Sequence, residues 1–290
     1  MSQAWLGQRE RGTLFALRLI TWITRHAGYR VAHALLAPIC LYFIVFSRDA
    51  SAASRDFLAQ VLVRPPRFRD VYRHYHTFAT TLLDRVLLLT GQIDDFELDV
   101  RGAREARELV AAKRGVLLLG SHLGSFELSR VAGLEQAGIV VNVVMHEDNA
   151  GKIARWTREQ GGGRAPRVIP PGSVDTMLRI REALQRGEVV AMLGDRPIGR
   201  SVTMDVAFLG RPARFPLGPL RLARALGVPV LLFFGLSLGP RRYQLHLERL
   251  EPGPGASVQA WLEAYVARLE AHARQAPYNW FNFYDFWDRS

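Results

Sequence analysis

Apolar residues recur every three or four positions through Val71, Tyr75, Phe78, Leu82, Val86 and Leu89, the stripe of one long helix that ends near Gly91. Beyond it the period changes. Phe96–Val100 alternates like a strand, Ala103–Ala112 returns to helical spacing, and Val116–Leu119 is a short, wholly apolar run of the kind buried on both faces of a sheet. Further helices are expected at Ser125–Ala137, at Asn149–Gln160 before the Gly161-Gly162-Gly163 turn, and along the stripe Val174, Met177, Leu178, Leu184. Strands are expected at Ile139–Met145, Arg167–Ile169 and Val189–Leu193. A long polar loop from Gly194 leads to Val206–Leu209, the helix Gly218–Leu226, the strands Val228–Gly235 and Tyr243–Leu250, and the helix Val258–Ala273. Strands alternating with helices of this length imply an α/β fold with a mostly parallel sheet flanked by helices, and place ligand chemistry at the carboxyl ends of strands.

The first fifty residues follow neither pattern. Arg9, Arg11, Arg18, Arg25 and Arg30 precede Val31–Ser47, which carries no charge before Arg48, while Leu14, Leu17, Ile20 and Ile23 with Phe15 and Trp22 stripe the basic part. An interfacial helix feeding a short anchor or dipping hairpin accounts for both. With the positive residues on the near side, the cytoplasmic face of a membrane is the expected location. A cleaved leader ending near Ser51-Ala52-Ala53-Ser54 and a buried soluble helix, interrupted by His33 and Pro38, are the competing readings. The division expected is 1–55 for membrane-associated helices and 56–290 for the α/β domain. The linker-like Glu251–Gly255 is too short to divide the latter.

Composition narrows the partners. With 49% apolar residues in 290, the chain buries a sizeable core, and its one cysteine, Cys40, excludes a disulfide framework and a cysteine-based zinc site. The formal charge is +11, and all 38 basic residues are arginine except Lys113 and Lys152. That excess suits an anionic partner. Nucleic acid is disfavoured because the arginines are scattered and no recognition motif accompanies them.

Three strand ends carry candidate chemistry. At the first, GSHLGSFE places His122 just after a buried strand and Glu127 on the first turn of the next helix. A carboxylate accepting from one imidazole nitrogen fixes the tautomer and strengthens the other nitrogen as a base, while the helix dipole favours ionised Glu127. Gly120 and Gly124 flank the histidine and let a ligand approach the backbone closely, with Ser121 and Gly124 counted as substrate-binding; Ser125 suits a helix cap, and no Gly-x-Ser-x-Gly elbow supports Ser121 or Ser125 as a nucleophile. The bland alternative is a surface histidine beside a capped helix. At the second, Gly194-Asp195-Arg196 opens a loop holding Arg200, Arg211 and Arg214 among Gly199, Gly210 and Gly218, which suits an anionic ligand unless Asp195 and Arg196 merely pair. At the third, Met145-His146-Glu147-Asp148-Asn149 lacks metal-ligand spacing and is read as a wall of the acceptor site.

Taken in order, GSHLGSFE, MHEDNAGKIARW, GGGRAPRVIP, GDR and FLGRPARFPLGPLRLARALGVPV resemble the lysophospholipid acyltransferase superfamily, and within it the bacterial lipid A late acyltransferase-like branch, over about Trp5 to the end. The resemblance implies a glycerolipid acyltransferase-like fold and transfer of a fatty acyl group from an acyl thioester to a hydroxyl or amine of a membrane lipid or glycolipid. It assigns His122 as general base and Glu127 as its orienter. Asp195, Arg196 and the block Phe208–Gly210 then shape the acceptor and oxyanion region, with Pro229 in support. Neither metal, cofactor nor covalent acyl-enzyme is implied. Acyl carrier protein is favoured over coenzyme A as donor because the arginine excess suits an acidic carrier. The ending Pro277–Trp287, with seven aromatic residues, is similar to relatives found beside aryl polyene gene sets, and reads as an apolar groove, an interfacial contact or core. A non-catalytic lipid-binding or assembly protein on the same fold, and an esterase or thioesterase, are the remaining functional alternatives.

Overall fold

The computed structural model describes residues 13–89, 92–128, 139–145, 167–172, 174–197 and 201–287. Helix α1 (Thr13–Phe46) bends at Gly28, whose φ of 82° breaks the helical run. It is followed by α2 (Arg48–Leu62) and α3 (Phe68–Leu89). Then come β1 (Glu97–Arg101), α4 (Ala103–Ala111), β2 (Val116–Gly120), the single turn α5 (Phe126–Leu128), β3 (Val141–Val144) and β4 (Arg167–Ile169). The chain continues through α6 (Val174–Gln185), β5 (Val189–Leu193), β6 (Thr203–Phe208), β7 (Arg211–Pro216), α7 (Gly218–Leu226), β8 (Val230–Gly239), β9 (Arg242–Arg249) and α8 (Val258–Gln275).

Among the described residues, seven strands form one sheet in the order β1-β9-β8-β2-β5-β3-β4. The β8–β9 hairpin is antiparallel and every other pairing in this sheet is parallel. The alternation in β2 divides its side chains between two cores. Leu117 and Leu119 pack with Val190, Leu232 and Phe234 against residues of α2, α7 and α8, while Val116 and Leu118 pack with Ala191, Leu231 and Phe233 against Leu88 of α3 and Ala106 of α4. A strand buried on both faces has to be apolar throughout, which is why the run Val116–Leu119 was readable.

The helices expected over residues 129–137 and 149–160, the triple-glycine turn, and His146–Asn149 lie outside the described residues. Helix α2 and strand β7 were not expected from the sequence, and β6 is longer than the Val206–Leu209 segment. In α2, Ser51 and Ser54 occupy buried positions and so interrupt the apolar stripe; Ser51 Oγ donates to the Ile44 carbonyl at 2.9 Å and lies 3.2 Å from Tyr75 Oη, and Ser54 Oγ lies 2.8 Å from His74 Nδ1. The loop after β5 contains a second, two-stranded sheet, β6–β7, turned by Leu209 and Gly210 with φ of 53° and 81°. Positive φ at both turn residues belongs to a tight hairpin. Pro212 and Pro216 disguised β7, because proline is tolerated only where no ladder hydrogen bond is needed from it.

The segment His26–Phe46 is long and apolar enough to cross a membrane, and 22% of its most apolar window is buried against the rest of the protein. Ala32 and Leu36 pack on Leu83 of α3, and Tyr29 Oη donates to Asp84 at 2.7 Å. The opposite side, with Ile39, Tyr42, Phe43, Val45 and Phe46, is exposed.

Candidate active site

β2 and β5 are neighbours in the sheet and run parallel, so the loops leaving their carboxyl ends meet. Gly194 N donates to the Gly120 carbonyl at 2.9 Å and continues the pairing into those loops. His122 stands two residues past β2 and Asp195 two residues past β5. Asp195 is fully buried and accepts three hydrogen bonds: from His122 N at 2.9 Å, from His122 Nδ1 at 2.8 Å, and from Trp280 Nε1 at 3.1 Å. Burial alone would raise its pKa, but the charges of His122 and Arg196 and the His122 donors outweigh that and hold it below the ordinary carboxylate range. An ionised carboxylate only accepts, so Nδ1 of His122 carries a proton, and in the neutral ring Nε2 is the nitrogen with the lone pair. The His122 side chain is 33% exposed, so the ring stands at the mouth of the buried pair.

The backbone around the histidine is clamped from two sides. Tyr265 Oη donates to Gly120 O at 2.9 Å, Gly124 N donates to Asn279 O at 2.8 Å, Ser125 N donates to Gly235 O at 2.8 Å, and Phe281 N donates to His122 O at 2.9 Å. Gly124 has φ of 74°, and a Cβ there would overlap the Gly235 carbonyl. Only glycine therefore lets the loop cross β8 at this distance. Leu123 N donates to Ser121 Oγ at 3.3 Å, closing the turn from within.

Asn279 seats the C-terminal segment by accepting from Ser237 N at 2.7 Å and donating to Ser237 O at 3.2 Å. Trp280 is fully buried among Phe57, Phe208, Phe286 and Trp287, and the Trp280 carbonyl lies 2.9 Å from Nε2 of the buried His74. Most of the aromatic ending is thus core, and it supplies Asp195 with a donor. No local pattern in the sequence pointed to that bond, because Trp280 and Asp195 are 85 residues apart.

Ser121, His122, Gly124, Asp195 and Arg196 come together here. Arg196 Nη2 donates to Phe281 O at 2.7 Å, and its guanidinium lies 5.2 Å from the Tyr284 ring centre. Phe208 joins through Trp280. Gly210 forms the hairpin turn beside Leu209, whose N–H donates to Glu270 at 2.6 Å, and Arg214 faces Asp205 across the hairpin at 3.8 Å. Glu127, on α5, is buried and pairs with Arg85 of α3 at 3.4 Å. The Pro229 carbonyl accepts from Leu117 N at the amino end of β2, the other end of that strand from His122. Among the described residues that carry the site, Trp280, Tyr265 and Arg85 were not anticipated.

Residues 73–288 match the family described as bacterial lipid A biosynthesis acyltransferase. A lipid A biosynthesis lauroyltransferase of Escherichia coli (strain K12) is 28% identical over 183 residues, covering 59% of this chain and 56% of that relative. The match therefore spans little more than half the length of the curated relative. The family match takes in most of α3, the whole seven-stranded sheet, both loops of the His122–Asp195 pair and the Trp280 segment, and the chain is a member of the bacterial lipid A biosynthesis acyltransferase family.

Proposed function

We propose that this protein is a membrane-associated acyltransferase of glycerolipid acyltransferase-like fold, moving a fatty acyl group from an acyl thioester to a hydroxyl or amine of a lipid or glycolipid. The observation that carries this reading is the His122–Asp195 pair, a ring with one nitrogen held by a buried carboxylate and the other open, at the carboxyl ends of adjacent parallel strands. Nε2 of His122 takes the acceptor's proton as its oxygen or nitrogen attacks the thioester carbonyl. The tetrahedral intermediate collapses, the C–S bond breaks, and the imidazolium returns the proton to the thiolate, leaving ester or amide and free thiol.

In this reading Asp195 orients His122 and stabilises the imidazolium as it forms. Glu127, anchored by Arg85, adds negative charge five residues away. Arg196 faces the developing oxyanion, and Ser121, Gly124, Phe208, Gly210 and Arg214 line the approach of the substrates. Neither metal nor cofactor takes part. The basic surface favours acyl carrier protein over coenzyme A. Residues 1–55 hold the chain at the cytoplasmic face of the inner membrane, supported by the exposed apolar side of α1, with α2 carrying the connection into the α/β domain.

The test is His122→Ala, assayed by mass spectrometry of the acylated acceptor. Product formation falls by at least 10²-fold, the lower range for a lost general base, while folding and membrane binding persist. Unchanged product formation overturns the mechanism.

A further inference from the structure

Outside the active site, β9 and α8 bring together three groups able to hold a metal. His246 and Glu248 are two residues apart and share one face of β9, and His272 reaches them from α8. One ligand atom from each lies within 4.8 Å of the others. His272 Nε2 is 2.7 Å from Glu248 Oε1, and His246 Nδ1 is 4.0 Å from the same oxygen.

The surrounding hydrogen bonds fix the state of His246. Gln244 Nε2 donates to Asp99 at 2.7 Å, so its amide oxygen turns the other way and accepts from Gln275 Nε2 at 3.2 Å and from His246 Nε2 at 2.9 Å. His246 therefore carries its proton on Nε2. Its Nδ1 lone pair faces a carboxylate oxygen with no proton of its own to place between them. Glu248 Oε2 is buried without a hydrogen bond, its nearest cation being Arg268 Nε at 3.7 Å. His246 thus has the arrangement that metal-binding histidines show, with the remote nitrogen tied to a polar acceptor and the near one free, whereas the remote Nδ1 of His272 is buried without a hydrogen bond.

We propose that His246 Nδ1, His272 Nε2 and the Glu248 carboxylate form a site for one divalent transition-metal ion, with zinc as the reference ion. Bond lengths of about 2.0–2.2 Å to nitrogen and oxygen put tetrahedral ligands roughly 3.3–3.5 Å apart. Closing the His246–Glu248 distance and opening the His272–Glu248 contact by under an ångström each reaches that spacing, and the two ring nitrogens, within 4.8 Å of one another, close by at most about 1.5 Å. The Glu248 side chain is 27% exposed, which gives the ion an entry path and leaves the fourth position to water. The role is structural. The ion ties β9 to the last turn of α8, immediately before the segment that delivers Asn279 and Trp280. The site stands independently of any acyl transfer.

The experiment is a cobalt(II) titration of the full-length protein, stripped with chelator and held in detergent, read by visible d–d absorption and by displacement with zinc. Saturation at one ion per chain is expected. His246→Ala, His272→Ala and Glu248→Gln each weaken the affinity at least tenfold, whereas His33→Ala, on α1, leaves it unchanged. Glu248→Gln keeps the side-chain shape and decides the matter if a histidine variant fails to fold. Absence of one-to-one binding by the unaltered protein, or binding undiminished in folded Glu248→Gln, overturns the proposal and leaves His272 and Glu248 as an ion pair.

Discussion

Asp195→Asn separates the orienting carboxylate from the space it fills. Oδ2 accepts from His122 N and Trp280 Nε1, while Oδ1 accepts from His122 Nδ1. The amide satisfies the first two donors with its oxygen, which places its NH₂ opposite Nδ1 at about the same 2.8 Å separation. A donor there forces Nδ1 to accept, so the ring proton moves to Nε2 and the base is lost. The same inversion in a Ser-His-Asp triad costs about 10⁴ in kcat, and general base catalysis contributes about 10²–10⁴; the expected fall in kcat is therefore about 10²–10⁴-fold, or roughly 3–5 kcal/mol of barrier. Stability changes less. Charge-assisted hydrogen bonds become neutral ones with the geometry kept, a loss of about 1–3 kcal/mol. The assay is steady-state turnover with an acyl thioester and lipid acceptor, beside the thermal midpoint of the same preparation. A folded variant with kcat within threefold of the unaltered protein refutes the role given to Asp195.

Three further perturbations probe the frame around that pair. Burial pushes the His74 pKa down to about 4 from 6.5, so the unfolded chain binds that proton between these values and the folded one does not. The contribution of His74 to stability is full above pH 6.5 and falls by about 3 kcal/mol as pH drops to 4; His74→Gln flattens that limb of the thermal midpoint against pH, and equal slopes for both proteins argue against it. Gly124→Ala places a Cβ on the Gly235 carbonyl at positive φ, with a cost of about 1–3 kcal/mol from backbone strain; the midpoint falls and turnover with it, and an unchanged midpoint shows that the loop has another route over β8. The paired change Phe43→Glu with Phe46→Glu, on the exposed side of α1, reduces co-sedimentation with anionic vesicles by more than tenfold, since each charge costs up to about 3 kcal/mol in the bilayer. Undiminished binding would assign the membrane contact to another surface.

The strands and helices were legible because their signals are local. A strand buried on both faces must be apolar throughout, and an amphipathic helix repeats its stripe, so β2, β5, β8 and α8 are visible in the residues themselves. The failures are equally physical. Ser51 and Ser54 are buried polar residues whose partners lie on α3 and in the last turn of α1, and in β7 the exposed Pro212 and Arg214 alternate with the buried Ala213 and Phe215, so its apolar signal is short.

The site divides in the same way. The sequence alone placed His122 at the end of a buried strand, because an apolar run followed by glycine, serine and histidine can only turn there. Which carboxylate takes Nδ1 was decided by strand order. Parallel pairing of β2 with β5 brings Asp195, 73 residues away, against the imidazole, while Glu127, five residues on, turns toward Arg85 of α3. The Trp280 donor and the His246–Glu248–His272 cluster also required the folded chain. Sequence proximity sets what a residue can be, but a hydrogen bond needs two atoms within 3 Å, and for distant residues only the packing of the sheet and its helices sets that distance.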